Sequence, residues 1–125
     1  MILITGGAGF IGNALVRRLN ANGQSDIMVA DSIGDSLKWR NLVDCRFSLY
    51  VDAADLLSML KDYRFERVIH LGGNSNSTEN NFTLMHQMNT EYSRRLWLYC
   101  AEHKIPFLYA SSGATYGDGS AGFSD

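Results

Sequence analysis

The residues Thr5-Gly6-Gly7-Ala8-Gly9-Phe10-Ile11-Gly12 follow a short apolar start, Met1-Ile2-Leu3-Ile4, and precede a helical pattern that begins Asn13-Ala14-Leu15-Val16. A buried strand that turns abruptly into a helix aims several backbone N–H groups, at the positive end of the helix dipole, toward one point. An anion, and a pyrophosphate above all, binds such a point. Gly6 allows the tight turn, Gly9 keeps a Cβ from holding a diphosphate off the backbone, and Gly12 lets helix and strand pack closely. A glycine-rich turn without a ligand is the plain alternative. Against it stands Asp31, which closes the next apolar run, where a dinucleotide site needs an acid for ribose hydroxyls. Further along, Gly72-Gly73 and Ser111-Ser112 each follow an apolar run of their own.

Positioning these groups at one edge requires strands that alternate with helices. Ile11, Leu15 and Leu19 recur at four-residue steps, which predicts a helix over residues 10–22 closed by Gly23. Ile27-Met28-Val29-Ala30 reads as the second strand and Leu42-Val43 as the start of a short third. Asp52 is placed to cap a helix carrying Leu56, Leu57, Met59 and Leu60, with Asp55 near its positive end. Val68-Ile69-His70-Leu71 forms a fourth strand, and a polar loop over residues 74–81 follows it. A long helix with Met85, Met88, Tyr92, Leu96 and Tyr99 on its core face ends near His103, and Pro106 opens a fifth strand, Phe107-Leu108-Tyr109-Ala110. Near-continuous apolar strands between helices imply an α/β fold, a doubly wound parallel sheet of the Rossmann type. Right-handed crossovers give it the strand order 3-2-1-4-5. The chain then reverses direction between strands one and four, and their carboxyl ends form the ligand crevice.

Composition narrows the partners. The chain has 125 residues, 46% hydrophobic and 19% charged, with a formal net charge of −2, which describes one globular unit rather than a disordered chain. No basic stripe is present, so neither nucleic acid nor an anionic membrane surface is an expected partner. No apolar run is long enough to span a bilayer, and a strand beginning at Met1 leaves no room for a signal peptide, which makes the cytoplasm the expected location. Cys45 and Cys100 form no CxxC pair and read as free thiols. His70, His86 and His103 lack metal-ligand spacing, so no metal site is expected, and Trp39 and Trp97 read as packing groups.

TGGAGFIG after strand one, Asp31 after strand two, His70-Leu71-Gly72-Gly73 after strand four and Ser111-Ser112-Gly113-Ala114-Thr115-Tyr116-Gly117 after strand five resemble the extended short-chain dehydrogenases/reductases. That superfamily includes the NAD(P)-dependent sugar-nucleotide epimerases and dehydratases. Asn41-Leu42-Val43-Asp44, residues 75–79 and Ile105-Pro106-Phe107-Leu108-Tyr109-Ala110 are most similar to its ADP-glycero-manno-heptose 6-epimerase branch. The resemblance covers the amino-terminal part of that family. It implies that a sugar carbon gives a hydride to the nicotinamide, a carbonyl forms transiently, and the hydride returns to the other face. It also implies contacts to the cofactor from Gly6, Gly9, Phe10, Ile11, Gly12, Asp31, Ser32, Lys38, Gly72, Gly73, Asn74, Ser75 and Asn89. Ser112 would hydrogen-bond the reacting oxygen, Thr115 would help to position the substrate, and the full-length form would be a homo-oligomer acting on a nucleotide sugar.

Two departures bear on these expectations. The family's acid/base tyrosine belongs to a Tyr-x-x-x-Lys motif, and no such motif exists here: Tyr63, Tyr92, Tyr99 and Tyr109 are followed four residues on by Arg67, Leu96, His103 and Gly113. The expectation is that it lies beyond Asp125, which makes residues 1–125 a truncated NAD(P)-binding domain that binds cofactor weakly and does not epimerise. Cofactor choice is divided. Asp31 suits NAD, whereas Lys38 and Arg40 could neutralise the 2′-phosphate of NADP, and Ala53 falls where heptose epimerases tend to carry another lysine; the balance leans to NADP. Leu71 stands where the heptose enzymes carry an acid, which leaves a related sugar-nucleotide dehydratase or reductase open, as well as a noncatalytic NAD(P)-binding module.

Overall fold

A computed structural model describes residues 1–74 and 80–124. Five parallel strands, β1 (Ile2–Thr5), β2 (Ile27–Asp31), β3 (Leu49–Asp52), β4 (Arg67–His70) and β5 (Phe107–Tyr109), make one sheet in the order β3-β2-β1-β4-β5. This is the topology the alternating pattern predicts. Every residue of β1 and β2 is buried, because both strands are covered on both faces. Side chains leave a strand alternately, so Leu3, Met28, Ala30 and Val68 enter one core and Ile2, Ile4, Ile27 and Val29 enter the other. Burying each such side chain contributes roughly 1.5–3 kcal/mol.

Helix α1 (Phe10–Ala21) covers the second core through Gly12, Val16 and Asn20, flanked by Leu15 and Leu19. Ile11 departs from the expected stripe. It stands exposed at the helix start, which leaves the close packing there to Gly12. Gly23, at φ +81°, ends the helix as expected and donates to the Asn20 carbonyl at 3.0 Å.

Strand three is not where Leu42-Val43 suggested. Ser36 Oγ accepts from the Lys38 N–H and starts a 3₁₀ turn, Leu37–Leu42, while β3 begins seven residues later at Leu49. Buried Asn20 holds the intervening segment, because its amide donates to the Gln24 and Arg46 carbonyls at 2.8 Å and accepts from the Arg46 N–H at 2.7 Å.

Helix α2 (Ala53–Met59) starts as predicted, with Asp52 Oδ1 accepting from the Ala54 N–H at 2.9 Å. The long helix is interrupted. Between α3 (Phe82–Met85) and α4 (Tyr92–Glu102) lies a π-helical segment, His86–Glu91. The extra residue in that turn rotates the stripe, so Leu96 and Cys100 are buried while Met88 is exposed. Trp39 and Trp97 are also largely exposed and pack into neither core. Both cysteines are free, and among the described residues no helix is long and apolar enough to cross a membrane. Leu108 and Tyr109 of β5 are exposed, on a strand paired only with β4.

Candidate functional site at the carboxyl edge of the sheet

Gly6 has φ +70°, and a Cβ there would come within 2.7 Å of the Gly72 backbone nitrogen. A Cβ at Gly12 would run into the Gly6 carbonyl oxygen. The turn after β1 therefore closes only with glycine at both positions, as the sequence implied. Gly9 precedes α1 without any side-chain cap, and the first-turn N–H groups of a helix lack intrahelical acceptors. Phe10 and Ile11, 91% and 65% exposed, flank that opening. An uncapped helix start on a glycine cradle suits an anionic ligand group.

Asp31 ends β2 and is 6% exposed, with both carboxylate oxygens engaged. Oδ2 accepts from the Ala8 N–H at 2.9 Å, and Oδ1 pairs with Lys38 Nζ at 3.2 Å. Burial of a charge is tolerated because these two donors replace water. Asn41, in the same 3₁₀ turn as Lys38, donates from Nδ2 to the Ala8 carbonyl at 2.8 Å. The Ala8 peptide is thus held at both ends.

After β4, the Gly72 N–H donates to Thr5 Oγ1 at 3.0 Å, and Thr5 Oγ1 lies 2.5 Å from His70 Nδ1. On the other side of the ring, His70 Nε2 lies 2.7 Å from Ser93 Oγ, which donates to the Asn89 carbonyl at 2.7 Å. Ser93 has one proton and spends it on Asn89, so it accepts from His70 Nε2–H. Nδ1 is then an acceptor, and Thr5 donates to it. The network assigns a neutral imidazole, and burial pushes its pKa below the usual histidine value. His70 is therefore a structural residue, as its spacing suggested, and it ties β1, β4 and α4 together.

Asn89 sits in the π-helical segment and clamps the loop after β4. Its Oδ1 accepts from the Asn74 N–H at 2.7 Å and its Nδ2 donates to the Asn74 carbonyl at 2.9 Å. A Cβ at Gly73 would stand 3.1 Å from Asn89 Oδ1. Ser75 lies outside the described residues.

A groove of about 270 Å³ opens where these loops meet, near the lower bound of roughly 300 Å³ for small-molecule sites. Of the residues the sequence singled out, it brings together Gly6, Asp31, Ser32, Lys38, Gly72 and Gly73. Thr5, Ala30, Ala53, Ala54, Gln87, Met88 and Tyr92 complete the lining; the sequence marks Ala53 for the lysine it replaces and sets Met88 and Tyr92 on a helical stripe facing the core, while Ala54 and Gln87 give no signal. The Tyr92 hydroxyl is buried without a hydrogen-bond partner among the described residues, and desolvation, with the nearby Asp52 charge, pushes its pKa strongly upward. Ser112 and Thr115 are not among the lining residues. Ser112 Oγ accepts from the Ala114 N–H at 3.2 Å, capping the short 3₁₀ turn Gly113–Tyr116, and the Thr115 hydroxyl donates to the Ser112 carbonyl at 2.7 Å. No group of three or more metal-ligating side chains occurs among the described residues.

A doubly wound sheet with a glycine cradle, a strand-end acid and a second glycine pair at one edge defines a dinucleotide-type α/β protein. The chain belongs to the NAD dependent epimerase/dehydratase family, whose model matches residues 2–125. It is 43% identical over 129 aligned positions to ADP-L-glycero-D-manno-heptose-6-epimerase of Nitratidesulfovibrio vulgaris strain DP4, covering 100% of this chain and 40% of that protein. The chain thus spans 40% of the length of the curated relatives it matches. Among solved structures, the Helicobacter pylori ADP-L-glycero-D-manno-heptose-6-epimerase is similar over 94% of this chain and 40% of its own, at 28% identity and a TM-score of 0.82. UDP-glucuronic acid 4-epimerase from Bacillus cereus, in complex with UDP-glucuronic acid and NAD, is similar over 99% of this chain and 44% of its own, at 27% identity and a TM-score of 0.80.

Proposed function

We propose that this chain is the cofactor-binding part of a nucleotide-sugar epimerase, with an ADP-activated glycero-manno-heptose as the sugar nucleotide and NADP as the cofactor. The observation that carries this reading is the groove, which places the β1 glycine turn, Asp31 with its Lys38 partner, and Gly72-Gly73 around one opening. The residues fit a dinucleotide. The turn has room for a diphosphate only because Gly6 and Gly12 lack a Cβ, and α1 offers uncapped N–H donors to it. When bound, the nicotinamide would supply a reversible hydride acceptor for one sugar carbon. Asp31 and Lys38 would hold the adenosine end, and the Asn89-clamped loop at residues 72–74 would border the groove's other wall. Lys38 beside Asp31 favours a 2′-phosphate, because the ammonium offsets the carboxylate that would otherwise repel it. NAD is the second reading, supported by the NAD complex of the Bacillus cereus relative.

Ser112 would meet the reacting sugar oxygen and Thr115 the sugar, in a cytoplasmic homo-oligomer of the longer protein. Without a Tyr-x-x-x-Lys in these residues, the chain alone is expected to bind cofactor weakly and to leave the sugar unchanged. The test is titration of the ¹⁵N-labelled chain with NADP and with NAD. Saturable shifts at the Gly6–Gly12 and Gly72–Asn74 amides are expected. Absence of any shift at millimolar ligand would overturn the cofactor reading, and turnover of a nucleotide sugar by the chain alone would overturn the division of labour.

A further inference from the structure

Four groups form a closed ring beside the groove. Asn41 Nδ2 donates to the Ala8 carbonyl at 2.8 Å, the Ala8 N–H donates to Asp31 Oδ2 at 2.9 Å, and Asp31 Oδ1 pairs with Lys38 Nζ at 3.2 Å. The ring closes through the backbone, because Lys38 and Asn41 are three residues apart in one 3₁₀ turn, where side chains at that spacing eclipse. The turn has few other ties to the sheet edge. Leu42 is buried, and the Asn41 carbonyl accepts from the Asn13 amide and from the Cys45 thiol, but Lys38, Trp39 and Arg40 are exposed. Ser36 holds the amino-terminal end of the turn to the Ile33 carbonyl, and the Asn41 amide joins the turn that carries Lys38 directly to the glycine loop.

We infer, building on the dinucleotide reading above, that Asn41 is a specificity-determining positioning residue. By docking the 3₁₀ turn on Ala8 it keeps the Lys38 ammonium over Asp31, and so lets the site accept an adenosine ribose that carries a 2′-phosphate. When the dock is lost, Lys38 moves into solvent. Asp31 keeps its bond from the Ala8 N–H, but Oδ1 then faces the groove unpaired. A bare carboxylate there accepts bonds from two ribose hydroxyls and repels a phosphate. Asn41 touches neither ligand in this scheme; it acts through Lys38 on the choice between them.

The experiment measures dissociation constants for NADP and NAD at one ionic strength on wild type, Asn41→Leu, Asn41→Ser, Lys38→Ala and the Lys38→Ala/Asn41→Leu double variant. Thermal melts identify any variant that fails to fold, and the two Asn41 substitutions serve as alternates for each other. The NADP-to-NAD preference is expected to fall about tenfold in either Asn41 variant, the size of a lost charge-assisted contact. Lys38→Ala should show the same fall, and the double variant should add nothing to it. Equal weakening of both ligands, or a second full loss of preference in the double variant, would overturn the role. Failure of the wild type to bind either dinucleotide would instead sink the cofactor reading, and this role with it.

Discussion

Replacing Thr5 with valine exchanges one hydroxyl for a methyl in a site that is 1% exposed, so shape is kept and only hydrogen bonding changes. One half-buried and one buried group lose their partner: the Gly72 N–H that Thr5 Oγ1 accepts, and the His70 Nδ1 lone pair to which it donates. The orphaned His70 nitrogen costs about 1–3 kcal/mol and the half-buried Gly72 N–H about 1 kcal/mol, so the two together cost about 2–4 kcal/mol, and the added methyl returns roughly 0.8 kcal/mol. A net loss of about 1–3 kcal/mol is expected, read as a lowered urea midpoint at unchanged m-value. Ser93→Ala, at the far end of the same chain of bonds, removes both the acceptor of His70 Nε2–H and the hydroxyl that donates to the Asn89 carbonyl, and should cost about 1–3 kcal/mol. The same network sets a pH dependence. Burial lowers the folded pKa of His70, so between that value and the usual one near 6.5 the unfolded chain binds more protons. Stability is therefore fully present above about pH 6.5 and falls as pH drops, with a limiting slope of about 1.4 kcal/mol per pH unit for this one group. Denaturant melts of wild type and His70→Gln between pH 7.5 and 5 isolate it. The reasoning fails if Thr5→Val loses less than about 0.5 kcal/mol, or if the two proteins show the same pH profile.

Gly12→Ala places a Cβ against the Gly6 carbonyl. The gain of about 1 kcal/mol in helix propensity is outweighed by up to about 3 kcal/mol of overpacking, and thermal melts should show a net loss near 2 kcal/mol. Gly113→Ala, where a Cβ meets nothing within 4 Å, is the matched control and should change stability by less than about 0.5 kcal/mol. Tyr92→Phe removes a buried hydroxyl that has no partner among the described residues, so stability should rise by about 1 kcal/mol; a loss of that size would show that the hydroxyl is satisfied.

How much of this was legible in the sequence follows from the range over which each signal acts. The β1 glycine turn, the Asp52 cap and the Gly23 stop are local, and their chemistry names them. The strand order follows from alternation and handedness, so it survived even though strand three was misplaced by seven residues. That error has a local cause: Leu42-Val43 has an apolar pair's look, yet Ser36 caps a 3₁₀ turn across it, and one buried face suffices for Leu42. Met88 was misread because a π-helical turn breaks the 3.6-residue period on which the stripe depended. Asn41 and Ala8 lie in stretches that carry the family resemblance, but nothing in those stretches showed that the two residues bond to each other and to Asp31. Their partners lie 33 and 23 residues away, and only the folded sheet brings them together.

The same contrast of range separates the two halves of the proposed chemistry. At the cofactor end, Ala8 reaches Asp31 across 23 residues, Asn41 reaches Ala8 across 33, and Gly72 reaches Thr5 across 67. Each bond ties one loop to another, so the cradle is fixed before any ligand arrives, and binding there need not order it. At the other end, the hydrogen bonds of Ser112 and Thr115 among the described residues span only two to four positions. They shape the turn itself. Effective catalysis needs reacting groups held to within a fraction of an ångström, and these local bonds do not by themselves supply that. Long-range bonds brace the proposed dinucleotide cradle, whereas the bonds found for Ser112 and Thr115 are local. Cofactor binding by this chain without turnover is what that difference in anchoring predicts.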